Sequence, residues 1–485
     1  MENLAKIKEL QKQINIINGV IEELITSEMK QQNNSQIDIK RIESLGKQAT
    51  FQSHFVSFLD EDVAVKYCTL LASAVRLLED TEKKIRQYYF ISRILHSSKA
   101  KCSLEEIITN AELVGISEFA YMKQELAEDI KVFLFDLLLQ ISLVGKIEEK
   151  QLDYFCEVLA YVDMNEKDRK SLFRVVSCVL QENIEELFKE SDAFPVKNIC
   201  GYFKEFDVAY SIEEVSKAKK DKVIIVAVKD FKPICSTEKI TKTKTENGVS
   251  VEVEEIKYHL HLDELKKKTV IFVECEFDNI DFMDGITSNT IFENCDFNEC
   301  GAFSLKKALV NKCCFRKCGN EKNIMLKIEL GQIEKCIFDE CSVTNIKEWN
   351  EIKEKSLSME NGALICLEKG LIAKSTCNRC KVVKEGDRGV LVLNRIFRMA
   401  RPLGTKLALE QDLNIICLNK GSIQDCRFSE CTCEDAEKDR SYSEYSSVKI
   451  NNYLINLVDG TAKDNIFERC IATANVGAAK WEEEA

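Results

Sequence analysis

The feature that most limits how this chain can fold is a phrase of Cys, Phe and Cys that returns seven times in its second half. Its cleanest copy carries Gly421, Ile423, Cys426, Phe428 and Cys431. It recurs with Gly331, Ile333, Cys336, Phe338 and Cys341, with Ile291, Cys295, Phe297 and Cys300, and with Val310, Cys313, Phe315 and Cys318. The first copy keeps Cys275 and Phe277 and ends in Ile280, and two more have Gly370, Ser375, Cys377, Cys380 and Gly460, Asn465, Phe467, Cys470. Cys and Phe two apart share one face of an extended strand, and the second Cys lies beyond a polar pair. The phrase therefore predicts strand, corner, strand. Copies are 20, 18, 23, 39, 51 and 39 residues apart, so one coil takes about twenty residues and the longer gaps hold insertions or unmarked coils. A coil this short cannot bury its own apolar face, whereas stacked coils bury a continuous core. Residues 266–476 thus read as a right-handed parallel β-helix. In several copies a short apolar run precedes the glycine, as in Ile416 to Leu418 before Gly421, which predicts a strand followed by a glycine turn.

Twenty-two cysteines need a reason, and sixteen of them lie in this repeat region. Residues 1–30 alternate charged and apolar positions, with no basic start and apolar centre of a secretory signal, which points to the cytoplasm and to reduced thiols acting as small buried hydrophobes. Metal binding is the sharper alternative. Cys377 and Cys380 form one CxxC, and His259 and His261 alternate along one strand face. A structural zinc site takes four N or S ligands, and neither pair has an evident complement, so no metal and no cofactor is expected.

The remaining chain is organised as separate blocks. In residues 1–36, Ile7, Leu10, Ile14, Ile17, Ile21 and Leu24 step by three and four, the seam of a short coiled coil for homo-oligomerisation or partner docking, before a polar linker from Gln31 to Gln36. Residues 38–192 keep a helical period, contain no proline, and predict an all-α bundle with helices at Val63–Leu78, Glu82–Leu95, Leu104–Ala111, Glu118–Val144, Glu148–Val162 and Glu166–Leu187. Ser103 and Asn165 stand where N-caps belong, each followed by acids in the first turn. The apolar run from Phe133 to Val144 is interrupted by Asp136 and Gln140 and is shorter than the roughly eighteen residues of a membrane span.

Within this block, Leu137 to Val144 ends a helix at Gly145, followed by Lys146, Ile147, Glu148 and Glu149, and a second helix closes before Asn165. This pattern resembles the TerB-like helical domain of tellurium-resistance and stress operons, and Ile94 to Glu106 resembles a degenerate first half of the same duplicated pattern. The resemblance implies a component of a bacterial stress-response or phage-defence system. It also implies an acidic cation-binding cluster, but Val144 stands where that family has an acid, and Glu148, Glu149 and Asp153 read as a solvated first turn.

Pro195 marks a boundary, and residues 196–265 switch to a mixed pattern, with an apolar strand at Lys222–Val228 and an alternating one at Val249–Ile256. They form a connector, the first coils, or a cap over the β-helix edge. Polar excursions interrupt the repeats at Asn345–Asn361, around Leu393–Pro402 and at Glu434–Tyr445, and 477–485 is a tail with Trp481. In an acidic chain of 68 Lys and Arg against 81 Asp and Glu, the cluster Arg395, Phe397, Arg398 and Arg401 is the leading partner contact, because Arg and aromatics concentrate at interface hot spots.

The sequence is thus multidomain α + β, with a coiled-coil helix, an all-α bundle and a β-helix. The acidic balance offers no basic stripe for nucleic acid, and no nucleotide-binding glycine loop is present. Carboxylates at Asn298-Glu299, Asp339-Glu340 and Ser429-Glu430 could stack into an acidic ridge. That ridge leaves two alternatives, a nucleic-acid mimic that blocks a DNA-binding enzyme and a polysaccharide-active enzyme with paired carboxylates. The expected function is a non-catalytic interaction or scaffold protein with protein partners and no membrane association.

Overall fold

A computed structural model of the chain describes residues 37–478 apart from 52–53, 144, 146, 216, 247–248, 261–267, 283–288, 302, 321–323, 345–361, 385–406, 436–445 and 473. For strand residues 240–255, 320, 384, 407–412, 435, 446–451, 475 and 477–478 only the backbone path is described. The coiled-coil seam and the tail with Trp481 lie outside the described residues. The chain divides into two compact units, Met1–Phe206 and Asp207–Ala485.

The first unit is helical: α1 (Ile39–Gln48), α2 (Glu61–Val75), α3 (Thr81–Ser97), α4 (Leu104–Ala111), α5 (Glu118–Leu126), α6 (Ile130–Ser142), α7 (Glu149–Tyr161), α8 (Glu166–Leu180) and α9 (Ile184–Phe188). Starts are set by side chains that satisfy free backbone amides. Ser103 and Glu106 form a reciprocal capping box, and Asn165 accepts from the Asp168 amide at 2.9 Å. Two helices expected as continuous are broken. Glu118–Val144 divides at Ala127, whose φ is 47°, and Glu166–Leu187 divides at Glu182, with φ 51°, after which Asn183 caps α9. No Gly or Pro marks either break, so the period alone ran through them. The first break separates α5 from α6, which is buried on all sides except Lys131 and therefore runs through the centre of the bundle. The unit also continues past the boundary expected at Pro195, because a 3-10 turn at Val196–Tyr202 inserts Ile199, Cys200 and Tyr202 into its core. Among the described residues no helix is long and apolar enough to cross a membrane.

The second unit is built almost entirely of parallel strands. It opens with β1 (Asp207–Ala209), a short α10 (Ile212–Val215) and β2 (Lys222–Val226), then an antiparallel hairpin of β3 (Cys235–Glu246) and β4 (Val249–Leu260). The repeats follow as β5 (Thr269–Val273), β6 (Glu276–Asp278), β7 (Ile280–Phe282), β8 (Asn289–Glu293), β9 (Asp296–Asn298), β10 (Phe303–Asn311), β11 (Cys314–Arg316) and β12 (Gly319–Asn320). They continue as β13 (Ile324–Glu334), β14 (Ile337–Asp339), β15 (Ser342–Val343), β16 (Gly362–Ala373), β17 (Thr376–Asn378) and β18 (Lys381–Lys384). The last are β19 (Leu407–Gln424), β20 (Arg427–Ser429), β21 (Thr432–Asp435), β22 (Ser446–Lys463), β23 (Ile466–Glu468) and β24 (Ala474–Ala478).

Each strand pairs with its equivalent in the next repeat. One sheet runs β1-β2-β5-β8-β10-β13-β16-β19-β22-β24, a second runs β6-β9-β11-β14-β17-β20-β23, and a third β12-β15-β18-β21. β1 and β2 thus start the large sheet, well before the repeats announce themselves in sequence. In-register pairing stacks like on like. Phe277, Phe297, Phe315 and Phe338 lie face to face with ring centroids 4.9, 4.5 and 4.7 Å apart and planes within 6°, and Phe231 closes the start of the column at 4.5 Å from Phe277. Burying each ring contributes about 2–3 kcal/mol.

The corners differ from expectation. In all seven copies the residue before each phrase position of Cys, such as Lys312 and Lys317 or Asp425 and Glu430, is a non-glycine residue with φ between 50° and 55°. This backbone costs about 1–2 kcal/mol per residue for an L-amino acid. The corner amide offsets part of it by donating to the next coil, as Glu274 N does to Glu293 O and Glu299 N to Arg316 O, both at 2.9 Å. The glycines are not turns. Gly331, Gly370, Gly421 and Gly460 sit inside β13, β16, β19 and β22 in one column, where consecutive coils approach too closely for a side chain. A Cβ on Gly370 would lie 1.7 Å from Gly331 O, and one on Gly421 1.8 Å from Gly370 O, while Gly460 is looser at 2.8 Å. Gly370 and Gly421 also have φ of 151° and 132°. Gly370→Ala and Gly421→Ala should each destabilise the second unit by more than about 2 kcal/mol, and Gly460→Ala by clearly less, as read from urea unfolding midpoints.

Candidate functional site

Polar chemistry in the helical unit converges on α6. Asp136, fully buried, accepts from Tyr67 Oη at 2.5 Å and from the Tyr202 hydroxyl, and His54 Nε2 lies 3.1 Å from its Oδ2. His54 Nδ1 accepts the Val56 amide at 3.0 Å, so the ring proton sits on Nε2, which donates to the Tyr202 hydroxyl oxygen at 2.5 Å. Burial, then the Asp136 charge, pushes both phenols well above their ordinary values and keeps them protonated donors. One turn along α6, Gln140 donates to Leu71 O at 3.1 Å and to Gln87 at 3.0 Å, and Gln151 donates to Ala74 O and to Gln87. All of these side chains except Tyr202 are at most 2 % exposed. The cluster ties α2, α3, α6, α7 and the 3-10 turn together and holds no face open to a substrate. His54 caps the 3-10 turn Phe55–Phe58. The sequence signal for this cluster was the pair of polar residues, Asp136 and Gln140, inside an apolar run. Of the acids implied by the TerB-like resemblance, Glu148 is paired with Lys83.

In the second unit the thiols form two columns. Cys275, Cys295, Cys313, Cys336 and Cys426 stand in one, and Cys300, Cys318, Cys341, Cys380, Cys431 and Cys470 in the other, each Sγ donating to a carbonyl of the preceding coil, as Cys380 does to Phe338 O at 3.3 Å. Cys377 takes the position of a Phe in its column and is likewise buried. The CxxC is therefore two adjacent columns of one core. His259 is buried on its strand, with Nε2 3.1 Å from Glu238 Oε2 and Nδ1 3.8 Å from Asp281 Oδ2, and His261 lies outside the described residues. Among the described residues no three His, Cys, Asp or Glu side chains group as a metal site.

The outer row of the seven-stranded sheet carries charges of both signs. Asp339 receives Arg379 at 2.9 and 3.0 Å while Glu340 meets the same guanidinium at 2.8 Å. Arg316 pairs with Asp296, Arg469 with Glu430, and Arg427 with Glu468. The carboxylates that could have made a continuous ridge are thus interleaved with arginines.

What varies between repeats is one connection. Residues 345–361 lie between β15 and β16, 385–406 between β18 and β19, and 436–445 between β21 and β22, the same step in three successive coils. Arg395, Phe397, Arg398 and Arg401 belong to the middle segment and, like Ile7, Leu10, Ile14, Ile17, Ile21 and Leu24, lie outside the described residues.

Removing the carboxylate with Asp136→Ala leaves two buried phenols without their acceptor and should lower the stability of the first unit by about 3–5 kcal/mol in denaturant titration. Burial pushes the Cys426 thiol up to about 12 and that of half-buried Cys235 to about 11. A thiol whose pKa is higher in the folded than the unfolded chain stabilises the fold fully below the unfolded value of about 8.5, and that contribution is lost as pH rises through the folded value. Unfolding midpoints of the second unit should hold up to about pH 8 and fall between about pH 9 and 12. At neutral pH a thiol reagent should modify exposed Cys156 first, then half-buried Cys102, Cys235, Cys314 and Cys470, and should reach the other thiols only after unfolding.

No family model matches the chain, and neither a curated protein nor a solved structure is detectably similar to it.

Proposed function

We propose that this protein is a non-catalytic scaffold that binds protein partners, with the second unit winding as a right-handed parallel β-helix and the first a TerB-like helical module. The observation that carries this reading is the placement of the variable segments at the same connection in three consecutive coils. Repeat scaffolds put recognition segments on one face because the stacked core fixes everything else. Two further observations support it. Asp136, His54, Tyr67 and Tyr202 of the first unit are consumed in a buried network, and the thiols of the second are mostly core. The alternation of arginine and carboxylate on the seven-stranded sheet favours this reading over a nucleic-acid mimic, which needs an unbroken negative stripe, and over a glycosidase, which needs two free carboxylates. By the resemblance of its first unit, the protein serves a bacterial stress-response or phage-defence system in the cytoplasm, and the 1–36 seam supports a homo-oligomer or a partner helix.

The test is affinity capture from native cells with the full chain and with a variant in which Arg395, Phe397, Arg398 and Arg401 are all alanine. The expected result is a stoichiometric protein partner whose recovery falls about tenfold or more with the variant, the loss of several hot-spot side chains. Turnover of a glycan by the purified chain, or capture of a DNA-processing enzyme that salt releases and the variant leaves unchanged, rejects it.

A further inference from the structure

Two cysteines of the parallel stack stand apart from its thiol columns. Cys366 in β16 and Cys417 in β19 are register partners on adjacent parallel strands. Each lies between two core residues, Ile365 and Leu367 or Ile416 and Leu418, so both face outward from the stack. With Ala363 and half-buried Ile324 they form a small cluster separate from the core. They are 7 % and 8 % exposed, against at most 2 % for the two thiol columns up to Cys431. The Cys417 thiol is in hydrogen-bonding contact with that of Cys366, and its Sγ lies 3.9 Å from Asn419 Oδ1.

A polar side chain beside this cluster is left unsatisfied by the rest of the fold. Asn414 is three residues before Cys417, in register with Ala363, and 0 % exposed. Neither its Oδ1 nor its Nδ2 meets a hydrogen-bond partner among the described residues. Buried amides are normally paired, and one with both ends free is explained by a water, an ion or a ligand. Ser375 and Asn465, polar residues at other levels of the stack, each accept a backbone amide of the neighbouring coil. Positive charge stands on the other side of the thiol pair, where Lys327 is the register partner of Cys366 one coil earlier, with its Nζ 3.8 Å from Glu368 Oε1.

We infer that Cys366 and Cys417 form a two-coordinate site for a soft monovalent cation, Cu(I), on the outer face of the large sheet, with the Asn414 amide donating to a thiolate. Neighbouring parallel strands are about 4.8 Å apart, which is wider than the Cβ separation of about 3.8 Å that a disulfide needs. Two metal–thiolate bonds of about 2.3 Å reach about 4.6 Å end to end, and less when bent, so one ion bridges what a disulfide does not. Zinc takes four ligands, whereas a soft monovalent cation is held by two thiolates, and thiolate softness selects Cu(I) among the first-row ions. Binding replaces two thiol protons, which leave to solvent, by one cation, and the resulting bis-thiolate carries a single negative charge beside Lys327. The core columns share the strand spacing, but there each Sγ donates to a carbonyl inside the apolar stack.

The test is anaerobic titration of the reduced full chain with Cu(I) against a chromophoric Cu(I) chelator, beside the variants Cys366→Ser, Cys417→Ser, Asn414→Leu and, as a control at an exposed thiol, Cys156→Ser. The expected result is a Cu(I) ion held against the chelator whose dissociation constant rises about a hundredfold or more in either of the first two variants and about tenfold in Asn414→Leu, and is unchanged in Cys156→Ser. Copper X-ray absorption of the loaded wild-type chain should show two sulfur neighbours, a readout that holds even if a serine variant fails to fold. A chain that holds no Cu(I), binding indifferent to both serine substitutions, or copper surrounded by three or more sulfurs or by nitrogen overturns the inference.

Discussion

The second unit depends on one spacing, the distance of just under 5 Å between neighbouring strands of a parallel sheet. Any side chain that points inward must tolerate its own equivalent at that distance above and below. Flat aromatic rings do so by stacking, and the observed separations of 4.5–4.9 Å are set by the backbone as much as by the rings. Thiols do so because they are small, apolar and still able to donate weakly to the carbonyl of the coil before them. Where a Cβ would run into the carbonyl of the coil before it, even a methyl group does not fit and the column becomes glycine. The recurrence of Cys, Phe and Gly is therefore one steric condition met at three depths of the same cross-section.

The condition also explains which parts of the fold could be read from sequence. The phrase located the columns because identical neighbours are needed at every level, and its spacing placed the repeats correctly even where Ser375 or Asn465 replaces Cys. The substitutions themselves are polar groups that still satisfy the stack, since Ser375 Oγ accepts from Cys336 N at 3.1 Å and Asn465 Oδ1 from Cys426 N at 3.0 Å. The corners were not legible. Their left-handed backbone falls on Lys, Glu, Asp, Asn and Arg, which look like ordinary surface residues, and in six of the seven copies their amides donate to the next coil. The glycines misled in the opposite direction, since glycine suggests a turn and here serves close contact within a continuous strand.

In the helical unit the period identified helices and their caps, but not where they break. Ala127 and Glu182 adopt positive φ with no Gly or Pro nearby to mark the break. The polar cluster around Asp136 was visible only as two interruptions of an apolar run. His54, Tyr67 and Tyr202 are 82, 69 and 66 positions from Asp136, so no local pattern could join them. Such a network gives the bundle a single arrangement, since a shifted helix would strand a carboxylate in an apolar interior.

That residues 345–361, 385–406 and 436–445 fall at one shared connection in three successive repeats has a further bearing on how this molecule can change. Register on either side of each segment is locked by columns of side chains, and closing a longer loop adds only a small logarithmic entropy term. A lineage can therefore lengthen, shorten or exchange one segment without retuning the others. The stack then tolerates replacement of each connection independently of the others, and such change need leave no trace in its core.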